Sequence, residues 1–396
     1  MADSQSNAAP VPESYFIEPL DVLMFRGNNL FGSSGSYSEN IMPPWPSVVA
    51  GALRTHMLDR ARISLSAFMK QAGESKGHYG PEEIVKSLGT VSHPGTFGVT
   101  WFSLGRRRKD GGTERLFPLP QDLFVISSGD KKEIVPIKPF PAEKIPGLST
   151  SADLPWLSGL SLHSQSKGDS GFFLTEKAFK KYLSGTLPSS DELIRPSELW
   201  HVDLRVGIGM NASSRTVVEG ALFSSETLSL KPGVGFVVEV QGAGGLIADR
   251  AILRFGGDGR GALMTKILAE DLSPLPVPPQ SDRLRVVLTT PGVFAQGGLP
   301  FSPDEVAPLW KHGPSVRILS VALGRGQVVS GWDMAKRRPK VAKRAIPTGS
   351  VYWCEIVKGS FDAADRVSQG VLLPDSLPSD RMAEGYNRAA LAPWLS

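Results

Sequence analysis

The chain has 396 residues, 41% of them hydrophobic and 21% charged, with a formal net charge of +4. At ~150 residues per domain this is apolar material for roughly two or three packed units, which excludes a disordered chain. One cysteine, Cys354, excludes a disulfide framework and any multi-cysteine zinc site and suits a reducing cytoplasm. No apolar run approaches ~18 residues, so no membrane span is expected.

The opening residues are polar and acidic and lack the basic and apolar regions of a signal peptide. The 42 glycines and 32 prolines are dispersed, which points to short strands with a few helices and many loops. Tyr15-Phe-Ile reads as the first strand, resumed after Pro19 by Val22-Leu-Met-Phe25. Arg26-Gly-Asn-Asn29 follows with turn composition. Val49, Leu53 and Met57 recur at helical spacing, and Pro46 stands near the start of that segment, where a helix tolerates it. A loop-rich stretch with a basic run, Arg106 to Lys109, comes next; that run is either a solvated face or a contact. Thr175 caps an expected helix to Leu183. Phe236-Val-Val-Glu-Val240 and Ala251-Ile-Leu-Arg-Phe255 read as strands joined by Gln241-Gly-Ala-Gly-Gly245, a hairpin composition.

Leu272-Ser-Pro-Leu-Pro-Val-Pro-Pro-Gln-Ser281 is a linker signal, because so many prolines exclude a helix or a central strand. Two α+β units are expected, residues 14–270 and 283–396. From Arg283 onward there are 15 Lys and Arg against 9 Asp and Glu, whereas the rest of the chain holds 28 against 30. The second unit is therefore the place to look for an anionic ligand. It opens with Leu284-Arg-Val-Val-Leu288, a buried-strand run. Ser302-Pro-Asp-Glu305 then carries the signature of a capped helix start. Val316 to Leu323 and Val351 to Ile356 are further strands. A short repeat, Phe25-Arg-Gly-Asn-Asn-Leu30 and Phe294-Ala-Gln-Gly-Gly-Leu299, follows the opening strand of each unit.

No phosphate-binding P-loop, G-x-S-x-G elbow or H-E-x-x-H motif is present. The six histidines lack metal-ligand spacing, and no cofactor or metal is called for. Gly256-Gly-Asp-Gly-Arg260 is read as a glycine turn rather than a carboxylate metal site, since two-metal chemistry needs clustered carboxylates. His56, two residues after Arg54, is either a general base toward a ribose hydroxyl or a residue flanking the apolar helix face. His201 is read as a strand histidine beside the core.

The strongest chemical signal is the run from Gly331 to Arg344. Lys336, Arg337, Arg338, Lys340, Lys343 and Arg344 crowd into nine positions, while Pro339 and Pro347 argue against one helix. A basic loop between strands is expected, its cations placed to neutralise phosphates. Trp332 at its base is placed to stack an unpaired base. Arg26, Asn28 and Asn29 at the end of the first strand are either an ordinary turn, which Gly and Asn favour, or candidate base contacts, and Asn211 and Arg215 in a later loop have the same two readings. Tyr386 and Arg388 are a further candidate pair near residue 390.

The order of these segments resembles the RAMP superfamily of CRISPR-associated proteins, and within it the third-subunit family of type III-B (Cmr) effector complexes. The resemblance rests on Pro19-Leu-Asp-Val-Leu-Met-Phe-Arg26, Val49-Ala-Gly-Ala-Leu-Arg-Thr55, Phe117-Pro-Leu-Pro120, Gly207-Ile-Gly with Glu219-Gly-Ala-Leu-Phe223, and Gly256-Gly-Asp-Gly-Arg260. In the second half it rests on Leu288-Thr-Thr-Pro-Gly-Val-Phe294, Ser330-Gly-Trp-Asp333 and Ile346-Pro-Thr-Gly-Ser-Val-Tyr352. It implies an α+β protein of two ferredoxin-like (RRM-like) domains with long loop insertions. It also implies a cytoplasmic, non-catalytic subunit that holds the 5′ handle of the crRNA. The implied protein partners are a large polymerase/cyclase-like subunit and a backbone RAMP subunit. Arg54, Arg26 with Asn28, and Gly385-Tyr-Asn-Arg388 fall where the family approaches RNA. The family's final loop is usually Gly-x-Gly, and Asn387 stands in the second glycine's place. A metal-independent crRNA-processing endoribonuclease using His56 is the other reading that the superfamily allows.

Overall fold

The computed structural model describes residues 12–25, 37–38, 42–71, 80–90, 94–128, 131–142, 154–162, 168–276, 281–295, 297–310, 313–333, 338–360, 371–372 and 379–395. The architecture is α+β, with mostly antiparallel sheets and few helices among these residues.

The larger sheet has eight strands, in the order Leu193–Ile194, Phe173–Thr175, Thr113–Pro118, Gly98–Arg107, Val234–Gln241, Glu13–Pro19, Gly261–Ile267 and Arg250–Arg254. A six-stranded sheet runs Ala307–Pro308, Ser315–Ala322, Val351–Lys358, Arg283–Leu288, Arg388–Ala392 and Val371–Leu372. Each sheet contains the same motif of four adjacent strands, ordered second, third, first and fourth along the chain. In the larger sheet these are Gly98–Arg107, Val234–Gln241, Glu13–Pro19 and Gly261–Ile267. In the smaller they are Ser315–Ala322, Val351–Lys358, Arg283–Leu288 and Arg388–Ala392.

Alternation along the first strand sets the layers. Tyr15 and Ile17 face one core with Val49, Leu53 and Met57 of the helix Pro46–Arg60. Burying each of those three helix side chains contributes about 1.5–3 kcal/mol. Phe16 points the other way and joins Trp101 and Val237, together with Val287, Trp353 and Ala390 of the second sheet. The two sheets thus share one apolar core. Tyr182 and Phe179 of the helix Glu176–Leu183 pack into the same core, and Thr175 caps that helix by accepting from the Ala178 N–H.

Fully buried charges cross the same layer. Arg285, on the opening strand of the second sheet, donates to Asp122 Oδ2 at 2.6 Å, to the Tyr182 carbonyl at 3.1 Å and to the Pro393 carbonyl at 2.7 Å. The Tyr182 hydroxyl donates to Asp122 Oδ1 at 2.7 Å. Within the first half, Arg115 donates to Glu176, to Glu239 and to the Ser273 carbonyl.

Several sequence expectations are corrected. Val22 to Phe25 forms only a two-residue bridge, Leu23 with Leu228. The segment with hairpin composition after Val240 is not a hairpin, because Val234–Gln241 and Arg250–Arg254 lie apart in the sheet. Ala243 and Ile247 are instead buried in the core that contains the first helix, and the chain crosses to the sheet edge. Arg106 to Lys109 is not loop but the end of the strand Gly98–Arg107 and its turn. Arg106 pairs with Glu114, Arg108 with Asp110, and the Arg107 guanidinium lies 4.3 Å from the Phe16 ring centroid. No helix follows Ser302. The Glu305 N–H donates to the Ser302 carbonyl at 3.0 Å, so one turn forms. Pro308 then stops it, since proline has no N–H to continue the ladder. Gly256-Gly-Asp-Gly is a turn with positive φ at Gly256, Asp258 and Gly259, and Arg260 leaves it to pair with Asp21 at 2.7 Å.

Candidate nucleic-acid interface

The basic run forms a two-tier ribbon, not a loop. Gln327–Val329 pairs with Lys343–Ala345, and above it Trp332–Asp333 pairs with Arg338–Pro339. The Lys340 N–H donates to the Gly331 carbonyl at 2.8 Å and ties the tiers together. Proline at 339 fits this short edge strand, where its missing N–H breaks no ladder. Arg338, Lys343 and Arg344 are exposed, and Trp332 is 56% exposed opposite Pro339. Lys336 and Arg337 lie outside the described residues.

The base of the ribbon is anchored. Val329 and Ala345 pack with Trp45, Val293 and Tyr386. The Lys340 ammonium pairs with Glu384, a buried carboxylate that Arg381 also approaches at 3.6 Å. Arg381 donates to the Ser330 carbonyl at 3.0 Å. Lys340 is therefore a structural cation, unlike its exposed neighbours.

The same cluster draws in the start of the first helix. The Ser47 and Tyr386 hydroxyls are 3.2 Å apart. Arg54 lies two turns further along that helix, half-buried, with its guanidinium carbon 5.8 Å from the Phe97 ring centroid. Between them, a Cβ added at Gly51 meets nothing within 4 Å, so the helix surface there is open. The ribbon, the first helix and the segment 381–388 thus converge.

Two candidates change role. Tyr386 is fully buried, and burial pushes its phenol up to about 12. Arg388 is buried too and donates to the Val99 carbonyl at 3.1 Å; burial lowers its guanidinium to about 10. Both support the site from behind and neither reaches toward phosphate. Asn387 has φ 60°, so the left-handed conformation that glycine favours is kept. Its side chain accepts from the Val293 N–H at 2.7 Å and donates to the Val293 carbonyl at 3.1 Å. Asn387→Gly is expected to lose about 1–3 kcal/mol, because those buried groups lose their partner. Asn387→Ala adds the left-handed penalty of about 1–2 kcal/mol. Thermal unfolding should rank wild type above the glycine variant and the glycine variant above the alanine variant.

Asn211 and Arg215 sit elsewhere, at the tip of the long hairpin Trp200–Met210 and Val217–Leu230. Asn211 Oδ1 accepts from Ser213 and Ser214 and so organises the turn, and Arg215 is exposed. Arg26, Asn28 and Asn29 lie outside the described residues. His56 Nε2 accepts from the Ala248 N–H at 3.2 Å, so the lone pair a general base needs is occupied. Burial, with help from Arg60, holds that imidazole below its ordinary range. His201 does lie in a strand, but it is exposed and contacts Lys231.

The hairpin carries what the sequence reading missed. Val202, Leu204, Val206, Ile208 and Met210 alternate along one strand and are all exposed, Leu204 by 62% and Val206 by 67%. The period of two was legible as a strand signal. Its exposure was not, because alternating apolar residues ordinarily face a core.

The model of the family described as CRISPR-associated protein (Cas_Cmr3) matches residues 15–394. A structure described as "Cryo-EM structure of the Type III-B Cmr-beta bound to cognate target RNA" is similar at 18% identity, covering 86% of this chain and 86% of its own, with a TM-score of 0.44. One described as "Crystal structure of Csm3-Csm4 subcomplex in the type III-A CRISPR-Cas interference complex" is similar at 11% identity. It covers 88% of this chain and 95% of its own, with a TM-score of 0.36. No curated protein sequence matches.

Proposed function

Because the chain belongs to this Cmr-type family of CRISPR-associated proteins, we propose that it is the non-catalytic crRNA-binding subunit of a type III-B effector complex. In this reading it holds the 5′ handle of the crRNA and joins the large polymerase/cyclase-like subunit to the backbone subunit, in antiviral defence in the cytoplasm. The observation that carries the reading is the ribbon, where Arg338, Lys343 and Arg344 are exposed around a Trp332 that is free to stack a base. The repeated four-strand order supports two ferredoxin-like units. The first unit keeps the helix after its opening strand, Pro46–Arg60, and the second keeps the helix before its last strand, Ser379–Ala383. The exposed apolar face of the hairpin fits a protein neighbour rather than water.

The test replaces Arg338, Lys343 and Arg344 with glutamine and titrates a single-stranded RNA of the repeat-derived handle across a salt series. Each lost phosphate contact on a single strand lowers the slope of log K against log salt by ~0.7. The triple variant should therefore bind more weakly, with a slope shallower by about 2. An unchanged affinity and slope would remove the ribbon from the RNA path.

A further inference from the structure

The crossing between the strands Val234–Gln241 and Arg250–Arg254 is tied down at both ends. At its start the Gly242 carbonyl accepts from the Ser87 hydroxyl and, at 2.9 Å, from the Thr96 hydroxyl. In its middle the Gly245 carbonyl accepts from the Arg60 guanidinium at 3.5 Å. At its end the Ala248 N–H donates to His56 Nε2 at 3.2 Å. Ala243 and Ile247 are buried between these ties, in the core that holds the first helix. Gly244 and Gly245 both take positive φ, so this stretch is held by its ties rather than by a strand ladder.

The ties respond differently to acid. Between roughly pH 5 and 8 a hydroxyl or guanidinium donor keeps its charge, whereas an imidazole changes it. A neutral ring that accepts at Nε2 carries its one proton on Nδ1. Protonated at Nε2 as well, it has no lone pair left and both nitrogens donate. The Ala248 N–H then faces a second donor, and a new positive charge stands one turn from Arg60.

The surroundings favour the neutral ring. His56 is half-buried, and desolvation, then Arg60, hold the imidazole below its ordinary range, with Asp59 opposing them. Among the described residues no carboxylate forms an ion pair with it. Asp249, next to Ala248, pairs instead with Lys266 at 3.1 Å, and Glu13 accepts from the Tyr15 hydroxyl at 2.7 Å. The strands packed on this helix carry Arg250, Arg254, Arg106 and Arg107, and the helix Glu82–Leu88 beside it carries Glu82, Glu83 and Lys86.

We propose that His56 is an acid-released latch, whose protonation frees the Ala248 end of the crossing and leaves the Gly242 end in place. The contribution of the latch to stability is whole above the ordinary imidazole value of about 6.5 and is lost as pH falls through the lower folded value. The latch goes beyond the RNA-binding reading and stands or falls separately from it.

Amide hydrogen exchange on the full chain, corrected for the intrinsic rate at each pH, is the test. From about pH 7.5 to about pH 5 the Ala248 amide should lose about tenfold in protection, the size of one net hydrogen bond. The Thr96 and Phe97 amides, which donate to the Lys86 and Ser87 carbonyls near the Gly242 tie, should keep theirs. His56→Gln offers an uncharged amide oxygen in place of Nε2, so Ala248 protection in that variant should not change with pH. Constant protection of Ala248 in the wild type, an equal loss at Thr96 and Phe97, or the same loss in the glutamine variant would each overturn the proposal. Should the variant fail to fold, the wild type decides alone by NMR. The His56 ring and the Ala248 amide should then titrate with one shared midpoint, and two separate midpoints would overturn the latch.

Discussion

Asp122→Ala is expected to destabilise the protein by about 3–5 kcal/mol, the penalty for leaving one partner of a buried ion pair uncompensated. The guanidinium of Arg285 is fully buried, and Asp122, at 2.6 Å, is its one carboxylate partner among the described residues. Removing that carboxylate also strips the Tyr182 hydroxyl of its acceptor. The damage falls between the sheets, since Asp122 follows the strand Thr113–Pro118 of the larger sheet and Arg285 lies on the opening strand of the second. Urea unfolding should show a lower midpoint, and a broadened or split transition would report the halves separating. The double variant Asp122→Ala with Arg285→Met should recover much of the loss, because the orphaned charge is then gone. If the single variant matched wild type, the pair would have no part in joining the halves.

Arg115→Ala should cost a similar amount, about 3–5 kcal/mol at neutral pH. Arg115 is fully buried and binds Glu176 at 2.8 Å and Glu239 at 3.1 Å, linking a strand, a helix and a central strand, with the Ser273 carbonyl as a third contact. Burial raises the Glu239 carboxyl, and Arg115 opposes that rise. Burial also pushes Glu176 upward, but Arg115, Lys180 and a backbone N–H outweigh it and hold the carboxyl below its ordinary range. The stability from Glu176 is present above its unfolded pKa and is lost as pH falls through the lower folded value. In the variant Arg115's share of that contribution is gone and Glu239 rises further, so the variant gains from protonation as pH falls below its folded pKa. The gap between wild type and variant should therefore be widest near pH 7.5 and narrow toward pH 4.5. A gap that stayed constant across that range would detach both carboxylates from Arg115.

Much of the fold was legible because local patterns and burial agreed. Val49, Leu53 and Met57 at helical spacing face the core, and Tyr15-Phe-Ile alternates between two of them. The buried arginines left a readable trace, since a lone Arg inside Leu284-Arg-Val-Val-Leu288 calls for a paired charge. Their partners were not readable, because Asp122 is 163 residues away from Arg285. The basic run was legible as charge, but its division into exposed and structural cations was not. Lys340 differs from Arg344 through Glu384, a residue 44 positions further on. Tyr386 and Arg388 misled for the same reason: polar side chains near a glycine read as surface, whereas the first half of the chain covers them. At Ser302 the local signal for a helix was real, and Pro308 overrode it.

The long reach of segment 381–388 has a consequence for how the protein is made. Tyr386 meets Ser47 across 339 residues, and Arg388 meets Val99 across 289. Closing loops of that length is slow and entropically demanding, so contacts of this kind come late. The ribbon's anchor, with Glu384 holding Lys340, cannot exist on the ribosome until this segment has emerged. The ribbon is thus late to mature, and a nascent chain halted before residue 381 would expose its cations without being able to arrange them.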